Sequence, residues 1–202
     1  QEEWHLLSQG LKIIRSHWPD VAISVDTFRA DIAELALQHG ADMINDVYGG
    51  EADARMWDVI GHYQVPYVLT HAHDIASNAH EYDPTMSQVL GFLQDRLNTL
   101  HRRGIKDIVL DPGFGFGKTI EQNYTLLRHL DVLDVLHAPI LVGISRKSML
   151  YKPLERTPQD VLSATIAAHT IALQHGADIL RVHDVDAAVQ AIKIYELTYK
   201  NK

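Results

Sequence analysis

Asp26, Asn45, His71, Asp111, Ser145 with Lys147, and Arg181 with His183 each follow a short apolar run. Such runs, closed by polar or turn-forming residues, read as buried strands, so these groups fall at strand ends. Asp26, Asn45 and Asp111 together offer carboxylates and an amide, a set suited to the amino and ring N–H edge of a flat heterocycle. Lys147, Arg181 and His183 are donors that suit an anion, with Arg181 placed to hold a phosphate bidentately. Each has an ordinary structural reading when taken alone. Asp26-Thr27 reads as a helix cap, Asn45-Asp46 as a turn, and Arg181 with Asp184 as an ion pair. Six strands that all end this way are harder to explain so.

The stretch from Asp111 to Thr119, Asp-Pro-Gly-Phe-Gly-Phe-Gly-Lys-Thr, follows the apolar run Ile108-Val109-Leu110. Glycines at every second position let backbone approach a ligand, and the phenylalanines supply flat apolar surface. The spacing excludes a phosphate-binding P-loop. Gly113 leaves three residues before Gly117-Lys118-Thr119 where four are required, and Pro112 occupies the needed position. The dinucleotide fingerprint fails as well, because the third glycine comes one residue early. Thr119 with Gln122 reads as a capping box that opens a helix.

The elements that must carry these groups alternate. Helical spacing spans Trp4–His17, and strands are expected at Val21–Val25, Met43–Ile44, Pro66–Thr70, Ile108–Leu110, Pro139–Ile144 and Ile179–Val182. Between them lie helices near Ile32–Ala36, Met56–Tyr63, Met86–Leu100, Thr119 to about Val135, one opening at Thr157-Pro158, and a last one from Val185. The polar connection Asp74–Pro84 is the longest expected among the earlier loops. One helix followed by six strand–helix units predicts an α/β protein with a parallel sheet. The segment Ala36-Leu37-Gln38-His39-Gly40-Ala41-Asp42 recurs as Ala172-Leu173-Gln174-His175-Gly176-Ala177-Asp178, four units later. Shared helix-exit chemistry is the preferred explanation. The regular unit length, short helix-to-strand turns and longer strand-to-helix loops predict a (β/α)8 TIM barrel. Six strands do not close such a barrel of about 250 residues. Residues 1–202 are therefore expected to form a single incomplete barrel domain lacking its first two strand–helix units.

Composition narrows the partners. The chain has 202 residues, 46% of them hydrophobic and 22% charged, which is ordinary for a globular protein. A net charge of −8 without a basic block argues against nucleic acid or an anionic membrane as partner. No cysteine is present, which removes disulfide and thiol chemistry and fits a reducing, cytoplasmic setting. No apolar stretch approaches the about 20 residues of a membrane span.

The segments Val25-Asp26-Thr27, Ile44-Asn45-Asp46, Asp111 to Thr119, Ser145-Arg146-Lys147-Ser148 and Arg181-Val182-His183-Asp184 resemble the dihydropteroate synthase family, in that family's order. The glycine-rich and Ser-Arg-Lys-Ser stretches are the specific ones. The resemblance implies a (β/α)8 barrel that joins 6-hydroxymethyl-dihydropterin diphosphate to p-aminobenzoate, releasing diphosphate, in folate synthesis. It also implies a sulfonamide target and a homodimer formed through the later helices. Asp26, Asn45, Asp111, Gly143 and Lys147 would hold the pterin, with Asp26, Asp111 and Lys147 catalytic. Phe116 and Ser145 would border the p-aminobenzoate pocket, and Arg181 and His183 would take the diphosphate. Mg2+ is the implied cofactor, with its protein ligand in the N-terminal segment this chain lacks, so the chain alone is expected to be inactive or nearly so. One departure is plain: the family usually has Met-His-Met where this chain has Thr70-His71-Ala72, followed by His73-Asp74.

Three rivals follow. A pterin-binding methyltransferase barrel shares the two Asp and the Asn positions but has no diphosphate to bind. A non-catalytic pterin-binding fragment is the second. His71-Ala72-His73, with His183-Asp184, also resembles the metal pair of amidohydrolases, although 13 histidines make a chance His-x-His easy.

Overall fold

In a computed structural model the described residues are 2–75 and 84–199. Most of the connection expected over Asp74–Pro84 thus lies outside them. Helices and strands alternate as α1 (Glu2–His17), β1 (Ser24–Asp26), α2 (Ala30–Gln38), β2 (Met43–Asp46), α3 (Met56–Tyr63), β3 (Tyr67–Thr70) and α4 (Thr85–Arg102). They continue as β4 (Ile108–Asp111), α5 (Ile120–Arg128), β5 (Leu141–Val142), α6 (Ser148–Tyr151), α7 (Leu162–Gln174), β6 (Ile179–Leu180) and α8 (Val185–Tyr199). The strand orders are β1-β2-β3-β4 and β5-β6, with parallel pairing in β1–β2, β2–β3 and β5–β6. The chain divides into two compact units, residues 1–71 with 93–109, and residues 72–92 with 110–202.

In the first unit the register pairs Val25 with Ile44 and Asp26 with Asn45, then Ile44 with Tyr67, Asn45 with Val68, and Asp46 with Leu69. Residues paired across parallel strands share a face, and alternate residues change face. Asp26, Asn45, Val68 and Thr70 therefore lie on one face, and Ile44, Asp46, Tyr67 and Leu69 on the other. All four residues of β3 are buried, as expected of a parallel strand covered on both sides.

In the second unit Leu110 forms a parallel bridge to Ile140. Thr119 and Gln122 make the expected capping box: the Thr119 hydroxyl accepts from the Gln122 amide, and the Gln122 side chain accepts from the Thr119 amide. The helix it opens stops at Arg128, not near Val135. Beyond it, Leu130–Leu136 is a 3-10 segment that buries Leu130, Leu133 and Leu136. Three residues per turn put that i, i+3, i+6 set on one side, which 3.6 per turn does less well.

The helix expected at Thr157-Pro158 is also corrected. Pro158–Asp160 is one 3-10 turn, and the Thr157 hydroxyl donates to the Asp160 carboxylate at 2.6 Å instead of capping backbone. The helix proper begins at Leu162. β5 is shorter than expected at both ends; at its start Pro139 has no N–H to give the ladder and offers only its carbonyl, to the Leu110 amide at 2.8 Å. α6 is a single turn absent from the sequence expectation.

The repeated heptad proves to be one joint used twice. Gly40 and Gly176 follow α2 and α7 at φ +96° and +94°, conformations glycine adopts without strain. The Asp42 carboxylate then accepts the Ile23 amide at 2.7 Å, and the Asp178 carboxylate accepts the Ile140 amide at 2.9 Å. Each aspartate fastens its helix exit to the start of a neighbouring strand.

Candidate active site

At the strand ends of the first unit, Asn45 is buried and Asp26 exposed. The Asn45 amide nitrogen donates to Asp26 Oδ1 at 2.6 Å. A carboxylate only accepts, so the amide must turn its nitrogen to Asp26 and its oxygen away. That oxygen, Asn45 Oδ1, is buried with no hydrogen-bond partner. Asp46, on the opposite face, is structural: it accepts from the Tyr48 and Gly50 amides and from the Tyr67 hydroxyl. Burial pushes its pKa up against those hydrogen bonds. The turn reading of Asn45-Asp46 thus belongs to Asp46 alone.

The second unit gathers the charged groups. Asp111, at the end of β4, is buried, and its Oδ1 accepts the Gly113 amide at 2.8 Å. Burial raises its pKa, opposed first by that amide and then by Lys147, Arg181 and Lys118. Arg181 approaches the other carboxylate oxygen to 4.0 Å. Lys147 donates to the Phe114 carbonyl and holds its ammonium 4.5 Å from the centre of the Phe116 ring, a cation–π contact. Gly115 lies against the Lys147 stem at φ +79°, where an added Cβ would come within 2.9 Å of Lys147 Cδ. Gly143, under Arg181, would place a Cβ 3.4 Å from the guanidinium.

One member of this unit, Lys118, escaped the sequence reading, and another, Asp184, has a different partner from the one expected. Lys118 donates to the Gly113 and Phe116 carbonyls, both at 3.0 Å, and so ties the glycine-rich loop closed. Only the acid at the loop's base hinted at it. Asp184 pairs with Arg146, at 3.0 and 2.5 Å, and not with Arg181 as its sequence proximity suggested. Arg146 sits at φ +55°, in the left-handed region, and its amide donates to the buried Thr165 hydroxyl. This strained residue lies between Ser145 and Lys147, a placement common at functional sites. Ser145 in turn shares a 2.9 Å hydrogen bond with His183 Nδ1. One group thus joins Asp111, Phe116, Gly143, Lys147 and Arg181, with Ser145 and His183 bonded to each other; Asp26 and Asn45 form the other.

Burial lowers both Lys118 and Lys147 to about 8, with Asp111 pulling each back up. Affinity for sulfate, whose charge is constant over this range, is expected to fall as pH rises through about 8. Isothermal titration from pH 6.5 to 9.5 checks this; a flat profile would remove these lysines from the anion site. The stability signature has the opposite slope. Unfolded lysines keep their protons to about 10.4, so between about 8 and that value the unfolded chain binds more protons and stability rises with pH.

The pterin binding enzyme family matches residues 1–183 of the chain. A dihydropteroate synthase of Clostridium beijerinckii is 38% identical over 200 residues, covering 98% of this chain and 72% of that protein. The chain belongs to the dihydropteroate synthase family. Among solved members, a Yersinia pestis dihydropteroate synthase with a pterine-sulfa conjugate is 34% identical at a TM-score of 0.92, covering 100% of this chain and 78% of that one. The Xanthomonas albilineans dihydropteroate synthase with 4-aminobenzoic acid is 37% identical at 0.81, covering 88% of this chain and 65% of that one. The α/β fold with parallel strands therefore matches dihydropteroate synthase structures over part of their length. Among the described residues no helix is long and apolar enough to cross a membrane. Nor do three or more His, Asp or Glu side chains among them form a group that could hold a metal ion.

Proposed function

We propose that this chain carries dihydropteroate synthase chemistry: condensation of 6-hydroxymethyl-dihydropterin diphosphate with p-aminobenzoate, releasing diphosphate, in folate synthesis. The observation that carries the reading is the cluster at the ends of β4, β5 and β6, where a buried Asp111 stands beside Lys118, Lys147 and Arg181. A methyltransferase with no phosphate to expel has no use for such a set. Family membership supports the rest. The six strand–helix units are read as part of a (β/α)8 barrel, supported by parallel pairing and by the likeness to solved relatives.

In this reading Asp26, Asn45 and Asp111 accept from the amino and ring N–H groups of the pterin, and Lys147 donates to its ring. Arg181 and His183 take the diphosphate, Gly143 keeps room for the Arg181 guanidinium, and Phe116 and Ser145 flank p-aminobenzoate. As the C–O bond to diphosphate breaks, positive charge spreads from the methylene carbon into the pterin, where carboxylates stabilise it. Negative charge collects on the leaving group, where Arg181 and Lys147 stabilise it. The aniline nitrogen then attacks the methylene carbon and loses a proton. It is already unprotonated at neutral pH, so no strong base is needed. Among the described residues no three His, Asp or Glu side chains gather to hold the magnesium that the family implies. A homodimer belongs to the same proposal, with the apolar groove of about 700 Å3 between α7 and α8, lined by Leu162, Ile166, Ile194 and Tyr195, as its surface.

Diphosphate release by a complete barrel that contains this segment, measured with and without p-aminobenzoate, tests the function. Release that requires p-aminobenzoate is expected, and Arg181→Ala should lower it by about 10²-fold, the order seen when one charge-stabilising donor is lost. Pterin binding without release would leave only the non-catalytic alternative, and methyl transfer in place of release would favour the methyltransferase.

A further inference from the structure

Among the described residues four buried side-chain atoms lack a hydrogen-bond partner, and two of them, Asn45 Oδ1 and Thr70 Oγ1, lie at strand ends of one sheet. The other two are the ring nitrogens of His169, in the middle of α7. The register puts Asn45, Val68 and Thr70 on the same face, together with Asp26. From Asn45, Thr70 is one strand across and two residues further along. With about 4.8 Å between strands and about 6.6 Å for two residues, the diagonal is about 8 Å. Thr70 is 1% exposed and Asn45 2%, so solvent does not satisfy either atom.

A buried polar atom without a partner is unfavourable, and native chains keep few of them. Asn45 Oδ1 is explained by the reaction proposed above: it awaits an N–H of the pterin. Thr70 presents the same unmet hydrogen-bonding capacity to the same side of the sheet. A valine there would match its shape and fill the strand end without cost. On these grounds we infer that Thr70 is a further specificity-determining residue, whose hydroxyl hydrogen-bonds the edge of the heterocycle next to the one read by Asp26 and Asn45. This inference rests on the pterin reading and deepens it. The methionine usual at this point of the family has no donor and only a weak acceptor, whereas a hydroxyl both donates and accepts.

The two possible roles of the hydroxyl separate cleanly. A hydroxyl that serves the fold stabilises the free protein, and its removal lowers the melting temperature. One that serves a ligand is a burden on the free protein, so removal leaves that temperature unchanged or raises it by about 2–4 °C. The test uses the full chain with 6-hydroxymethylpterin as probe, in isothermal titration and thermal denaturation. Thr70→Val is expected to bind about 5- to 10-fold more weakly, on the scale of one hydrogen bond, with no loss of melting temperature. Thr70→Ser should stay within about twofold of the parent, since it keeps the hydroxyl. Parent-like affinity in Thr70→Val would overturn the inference, and so would weaker binding joined to a melting temperature several degrees lower. Asp26→Asn is the control for the underlying reading. If the parent binds no pterin, or Asp26→Asn binds as the parent does, the pterin assignment itself fails and takes the Thr70 contact with it.

Discussion

Asp111→Asn, made in a complete barrel that contains this segment, is expected to lower turnover by about 10²- to 10³-fold, the scale of losing one preorganised charge contact. The substitution keeps the volume of the side chain and can keep the hydrogen bond from the Gly113 amide, which is 2.8 Å long in the parent. What it removes is the negative charge shared by Lys118, Lys147 and Arg181. The amide nitrogen then faces the Arg181 guanidinium, which stands 4.0 Å from the carboxylate. Both lysines should also titrate below their present value of about 8, because Asp111 is what raises them against burial. The alkaline limb of the rate profile should therefore move to lower pH. Steady-state kinetics from pH 6 to 9 reads both effects. Turnover within threefold of the parent, with the limb unmoved, would show that Asp111 is not the counter-ion of this cluster.

Gly117→Ala should destabilise the protein by about 2–4 kcal/mol, near the upper end for one substitution. Gly117 has φ +55°, which a side chain tolerates poorly, and an added Cβ would sit 2.4 Å from the carbonyl carbon and oxygen of His73. Backbone cannot step aside as a flexible side chain can. The close approach is stitched further by the Ile75 amide, which donates to the Gly117 carbonyl at 3.1 Å. A fall of about 6–12 °C in melting temperature is the expected result for a chain of this size. Gly115→Ala is the contrast in contact, since the nearest atoms to its Cβ belong to the flexible Lys147 side chain, although φ +79° strains it too. That variant should lose less stability than Gly117→Ala and add damage in substrate binding. Equal melting temperatures for Gly117→Ala and the parent would mean that the loop is not packed as described.

Legibility in the sequence followed how local the deciding physics was. The Thr119–Gln122 capping box and the helix Met56–Tyr63 rest on neighbours in the chain, and both appear where expected. The segment Leu130–Leu136 and the turn at Pro158 were misread because a leucine repeat and a Thr-Pro pair are compatible with α-helix until packing chooses a tighter turn. In the site, residue type at strand ends was enough to single out Asp111 and Arg181, which come together. Partnerships were not legible. Arg181 and Arg146 stand three and thirty-eight positions from Asp184, and the distant one holds it. Lys118 looked like a misplaced phosphate lysine, yet the loop carbonyls engage its ammonium. A nucleoside triphosphate would meet a glycine-rich loop whose lysine already has partners.

The aspartate joint at Asp42 and Asp178 makes each helix exit carry its own fastener. Residues 36–42 and 172–178 are identical in sequence, so one set of seven residues builds the same corner twice. The first corner is also bound to α1, because the Arg15 guanidinium donates to the Gly40 carbonyl and to the Asp42 carboxylate.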